Sequence, residues 1–179
     1  MTKRLFTLLT FALLTFGAAA QTVPDTLLFV FKLHGQTRRF EMSFEQRQDS
    51  IRLTWGIERK LKWLSGTYTM TPEGVENGTS LSFLQPEDKR HVVMPTAETV
   101  YLIGRKAYRT LKATRRMAYN QTTYRLLDTD REALGRPLLH VRDEAEGEEM
   151  WILDNPALPL VWQMKNNPLE INWTVQTME

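Results

Sequence analysis

The sequence contains no cysteine. That excludes disulfides, thiolate metal sites and a cysteine nucleophile, and it leaves the hydrophobic core to hold the chain together. Histidine is nearly as scarce. His34, His91 and His140 are the three present, and no His-Glu-x-x-His or His-x-His spacing links them. Each reads as an ordinary strand or turn residue. Serine occurs only as Ser43, Ser50, Ser65, Ser80 and Ser82, never within Gly-x-Ser-x-Gly or Ser-x-x-Lys, so a nucleophilic hydrolase has no local support. Glycine-rich phosphate loops are missing as well. No cofactor and no metal ligand set is implied, and no motif argues for an enzyme.

Long apolar runs are also absent, with one exception. Lys3 and Arg4 precede the apolar stretch 5–16, which ends in Gly17-Ala18-Ala19-Ala20. A charged start, a short apolar run and small residues at the cut describe a secretory signal, with cleavage expected after about Ala20. The run is too short to span a bilayer as a helix, so an integral membrane protein is not expected. Lys3 and Arg4 would leave with the signal, taking the 23 basic residues down to 21, against 21 acidic ones. A balance of zero argues against a nucleic-acid binder, which would keep a basic surplus. The expected address is the periplasm or the cell exterior of a bacterium. Residues 21–179 are expected to form one domain.

What is present is mostly strand pattern. In 26–70, Leu27, Phe29, Phe31 and Leu33 alternate with Leu28, Val30, Lys32 and His34, which predicts a strand covered on both faces. Phe40, Met42 and Phe44 alternate with charged residues, as do Ile51, Leu53, Trp55 and Ile57, with polar turns between the runs. Leu64, Gly66, Tyr68 and Met70 share the face of a fourth strand. A second meander follows residue 117, ending on Leu169, Ile171, Trp173 and Val175. Between the meanders, Val100, Ile103, Gly104, Ala107, Tyr108 and Leu111 follow helical spacing, with Thr96 as a cap and Glu98 in the first turn. The fold expected is therefore mainly β with one helix (α+β). It is an antiparallel curved sheet, a half-barrel or barrel of about nine strands, with the amphipathic helix of about 96–112 on its concave face.

Two charged clusters are candidates for contact. The run 143–149 concentrates carboxylates; calcium is the sharper reading, but the spacing is not that of an EF-hand, and a solvated hairpin tip accounts for it. Arg105, Arg109, Lys112 and Arg116 would lie along one side of the helix and form a surface basic patch, suited to headgroups, acidic glycans or an acidic partner, or simply to the helix dipole. Trp63 and Trp151 alternate against the main apolar set. With Met70, Ile103, Tyr108 and Met164 they are the candidate lining of a ligand site.

The order of elements, an antiparallel meander, Pro95-Thr96-x-Glu98-Thr99 opening a helix, then Tyr119-Asn120 and a second meander, resembles small exported proteins of Gram-negative bacteria of unknown function. More distantly it is similar in layout to the half-barrels of periplasmic lipoprotein carriers. That resemblance implies an exported binding protein, holding a lipid or another apolar or amphipathic ligand between sheet and helix. The alternative is an envelope-associated module with a solid core that contacts a protein or polysaccharide partner and takes no small ligand.

Overall fold

The computed structural model describes residues 23–178; the expected signal segment, 1–20, lies outside the described residues. The first meander forms as its alternation requires: β1 (Leu27–Leu33), β2 (Gln36–Arg47), β3 (Ser50–Arg59) and β4 (Lys62–Met70). Helix α1 (Pro72–Asn77) follows, capped by the Thr71 hydroxyl, which accepts from the Gly74 N–H. Then come β5 (Ser80–Leu81), β6 (His91–Val93), β7 (Glu98–Thr99) and helix α2 (Arg105–Thr114). The remaining elements are β8 (Arg116–Tyr119), β9 (Thr122–Leu127), β10 (Glu132–Ala133), β11 (Arg136–Asp143), β12 (Glu149–Leu153), β13 (Val161–Lys165) and β14 (Ile171–Thr177). Twelve strands form one large curved sheet in the order β6-β4-β3-β2-β1-β14-β13-β12-β11-β9-β8, with β10 beside β11. The first and last strands thus meet at its centre, where Leu27 to Leu33 of β1 pair antiparallel with β14. Only β6 runs parallel to its neighbour in this sheet, and the sheet does not close. The strands exceed the expected nine because loops 80–99 and 128–133 contribute short pairings that carry no alternation.

The expected helix over 96–112 forms only from Arg105. Thr99 to Gly104 are six consecutive buried residues. An amphipathic helix would expose part of such a stretch, and Val100, Tyr101, Leu102 and Ile103 offer no polar side chain to expose. The segment is instead irregular backbone, bending at Val100 and Tyr101, where Tyr101 takes a positive φ of 57°. Its backbone groups are satisfied from outside: Val161 N–H donates to Tyr101 O (2.8 Å), Ile103 N–H to Pro159 O (3.0 Å), and Leu102 bridges Leu160. The Tyr101 ring sits 5.1 Å from Phe29, 5.7 Å from Phe31 and 5.3 Å from Trp173, in the middle of the core. Of the helical stripe, Val100 and Ile103 are buried in the core, but from irregular backbone and not from a helix.

Helix α2 is ten residues long. It leads into β8 and packs on β8 and α1, burying Tyr108 and Leu111. Lys112 Nζ reaches Asp154 just past β12 (2.6 Å) and the Tyr108 hydroxyl donates to the same carboxylate. The outer face of β1 therefore has no helix over it. Leu28 and Val30 are half-buried and Lys32 is exposed, shaded by cross-strand neighbours such as Arg39 and Glu41, whose aliphatic stems cover apolar surface. Gly104, the N-cap of α2, closely approaches the backbone of Gly78 at the end of α1, not a strand.

Candidate functional site

Six side chains were expected to line a ligand cavity, and they fall into different environments. Met70, Ile103 and Met164 are at most 1 % exposed and fill solid core. Tyr108 is buried under α2 against Asp154, and burial pushes its hydroxyl pKa far up, reinforced by that carboxylate. Trp151 is buried on the outer side of the second meander. Its ring stacks on His140 (4.2 Å, 9°), and Arg131 and Lys165 each lie 5.1 Å from its centroid. Trp63 is the one in solvent, 54 % exposed. No cleft described below is lined by any of the six.

The basic patch is likewise changed by its surroundings. Arg109 pairs with Glu76, Lys112 with Asp154 and Arg116 with Glu144, while Arg105 donates twice to the Ala157 carbonyl. Three of its four charges are paired with carboxylates distant in sequence. The acidic run is not merely a solvated tip either. Asp143 accepts from the Ala145 and Glu146 N–H groups and the Thr122 hydroxyl. Burial would raise its pKa, but those donors outweigh it and hold the carboxyl below its ordinary range. Glu148 is buried, accepting from the Tyr124 hydroxyl on one oxygen and Asn167 Nδ2 on the other. Here burial wins and the Glu148 pKa is raised, while its carboxylate and burial push Tyr124 up as well. This network ties the β8–β9, β11–β12 and β13–β14 turns together. Among the described residues no three His, Asp or Glu side chains are grouped as metal ligands would be.

The open end of the curved sheet is where side chains converge without filling the space. The β1–β2 turn, the β3–β4 turn and the start of β14, where Ile171 pairs with Leu33, lie at one end. Loop 82–90 crosses this end. It is pinned along β4 by Ser65 N–H to Asp88 Oδ1 (3.0 Å) and Thr67 N–H to Arg90 O (3.0 Å). Under it lie two adjoining clefts. One, of roughly 410 Å³, has a floor of Phe31, Phe40 and Tyr101 with Leu33, Phe83 and Ile171 at its sides. The other, of roughly 450 Å³, is lined by Trp55, Ile57 and Leu64 with Glu58, Arg59 and Asp88 at its rim. They share Arg38, Phe40 and the Gln85-Pro86 stretch, and so form one groove.

Arg38 is half-buried between the two halves. It donates to Gln36 Oε1 (3.2 Å) and has no carboxylate partner among the described residues. Trp55 is 2 % exposed, and its indole N–H is buried without an acceptor. The groove therefore combines an aromatic floor with one charged donor, Arg38, whose capacity the protein uses only in part. None of these residues was singled out as a site from the sequence, because they come from β1, β2, β3, β14 and a loop. The one local signal was the alternation that placed Phe31, Phe40 and Trp55 on inward faces.

No family model, curated protein or solved structure matches the chain.

Proposed function

We propose that the protein is an exported binding protein for an amphipathic ligand, whose apolar part lies on Phe31, Phe40 and Tyr101 and whose acceptor-bearing head meets Arg38. The observation that carries this reading is the pairing of an open aromatic groove with an unpaired guanidinium in its midst. A guanidinium offers five donors in a planar fork suited to carboxylate or phosphate oxygens. The groove's volume is in the range of small-molecule sites. The export half of the reading rests on residues 1–20. The filled core around Met70, Ile103 and Met164 favours a ligand at the mouth over one between sheet and helix.

The test is a titration with a fluorescent long-chain fatty acid, alongside mass spectrometry of an organic extract of the purified protein. Saturable binding is expected, with Arg38→Ala weakening it about tenfold or more, since a hydrogen bond to a charged group is worth ~1.5–3 kcal/mol. Ile171→Glu should weaken it further by placing a carboxylate at the apolar side. Absence of saturable binding, together with no thermal stabilisation by fatty acids or detergents, would overturn the reading and favour the module without a small ligand.

A further inference from the structure

We infer that the tip of the β3–β4 hairpin is a docking element for an anionic lipid surface. Arg59 and Lys62 pair across the strands, leaving Lys60-Leu61 as a two-residue turn. Both turn residues have positive φ, 52° and 59°. Turns of this kind are built with least strain from Asn-Gly, because a side chain in the left-handed region is crowded. Here a lysine and a leucine occupy them, and Leu61 is 94 % exposed. A strained position spent on holding a leucine in water is a local choice that neither the fold nor solubility asks for. Trp63, two residues on, is 54 % exposed. Its ring lies over Gly56, where an added Cβ would be 2.7 Å from the ring's Cε2. The missing side chain at Gly56 thus seats the indole against the sheet with part of its surface outward.

Around these two apolar groups stand Arg59, Lys60 and Lys62, all exposed. None of the three pairs with a carboxylate among the described residues, in contrast to Arg109, Lys112, Arg115 and Arg116, which all do. Glu58 is the single acid of the tip. An apolar point ringed by unpaired cations matches the interface of a bilayer carrying anionic lipid. Leucine would enter the acyl boundary, the indole would sit at headgroup depth, and the long basic side chains would keep their charges at the phosphates. An acidic polysaccharide would meet the cations but leave Leu61 in water. The same hairpin supplies Ile57, Arg59 and Leu64 to the groove, so the tip would set the groove's mouth beside the lipid surface. The inference itself does not depend on what the groove holds.

Co-sedimentation of the purified protein with phosphatidylcholine vesicles, with and without phosphatidylglycerol, tests it. Binding is expected only with the anionic lipid and should fall as salt is raised. Removing two cations in Lys60→Ala/Lys62→Ala should weaken it about thirtyfold, at roughly fivefold per surface cation. Leu61→Gly is the sharper variant. Glycine relieves the positive φ, so thermal stability should hold or rise while vesicle binding falls about tenfold or more, in line with the loss of a buried leucine side chain. Quenching of tryptophan emission by brominated lipid should be lost mainly in Trp63→Phe. Equal binding to both vesicle types, no binding to either, or Leu61→Gly binding like the unaltered protein would each overturn the proposal. Binding to heparin that Leu61→Gly leaves unchanged, without vesicle binding, would reassign the tip to an acidic glycan.

Discussion

Replacing Gly104 by alanine sets two physical effects against each other. Read as the middle of a long helix, position 104 gains about 1 kcal/mol from alanine, the difference in helix propensity. In the folded protein Gly104 is the N-cap of α2, with φ −53° and ψ 137°, and its N–H donates to the Tyr119 hydroxyl (3.2 Å). A Cβ there would press into the Gly78 carbonyl oxygen and stand 3.0 Å from Gly78 N and 3.1 Å from Gly78 C. These are backbone atoms, and Gly78 cannot retreat freely. Its N–H is committed to Gly74 O (2.9 Å), and a Cβ on Gly78 itself would be 2.8 Å from Thr99 Cγ2. Relief requires α1 and α2 to separate, with Tyr119 and Thr99 between them. Overpacking of this kind costs ~1–3 kcal/mol, and alanine is also a poorer N-cap than glycine. For a domain of this size each kcal/mol lowers Tm by roughly 2–4 °C. Gly104→Ala should therefore melt about 2–12 °C lower and shift the urea midpoint down without changing the slope. A variant as stable as the parent, or more so, would refute the close approach between the two helix ends.

Two further predictions concern buried polar groups. Thr99 is fully buried, and its hydroxyl meets Tyr119 Oη (2.7 Å) and the Leu102 carbonyl (2.5 Å); Thr99→Val should cost ~1–3 kcal/mol in urea unfolding, and the double change with Tyr119→Phe should cost less than the sum of the singles. Glu148 and Asp143 should give opposite pH signatures. The folded Glu148 holds its proton more tightly than the unfolded chain does, so its contribution is fully present below the ordinary glutamate range and is lost as pH rises through its raised value. Asp143, depressed by its donors, contributes above the ordinary aspartate range and loses that contribution as pH falls. The stability difference between parent and Glu148→Gln should thus favour the parent most at acid pH, while the cost of Asp143→Asn should be largest near neutrality and shrink on acidification. Differences independent of pH would show that neither carboxyl's titration is coupled to folding.

The parts of this molecule that could be read in advance are those whose side chains answer to a period of two. Phe29 and Phe31, Phe40 and Met42, Leu53 and Trp55, Tyr68 and Met70, and Trp173 and Val175 all face the core as their alternation requires. One inner face was enough to order a meander. The run Thr99 to Ile103 escaped because its apolar residues also satisfy a helical spacing. Periodicity cannot separate a buried irregular segment from one side of a helix when no polar residue marks the wet side. The length of the uninterrupted run, and its Thr-Val-Tyr-Leu-Ile character, was the signal that could have decided it. The basic patch failed differently. Arg105, Arg109 and Lys112 do lie on α2, but Arg116 belongs to β8; Glu76, Asp154 and Glu144 come from elsewhere in the chain, and pairing at such separations leaves no trace in a window of residues. The groove shares that blindness, since Arg38, Phe83 and Ile171 meet only once the first and last strands have paired. The hairpin tip is the contrary case. Everything in it, from Gly56 to Trp63, lies within eight residues, and it rests on Leu61 falling inside the turn. There, burial could not be the reason for a leucine.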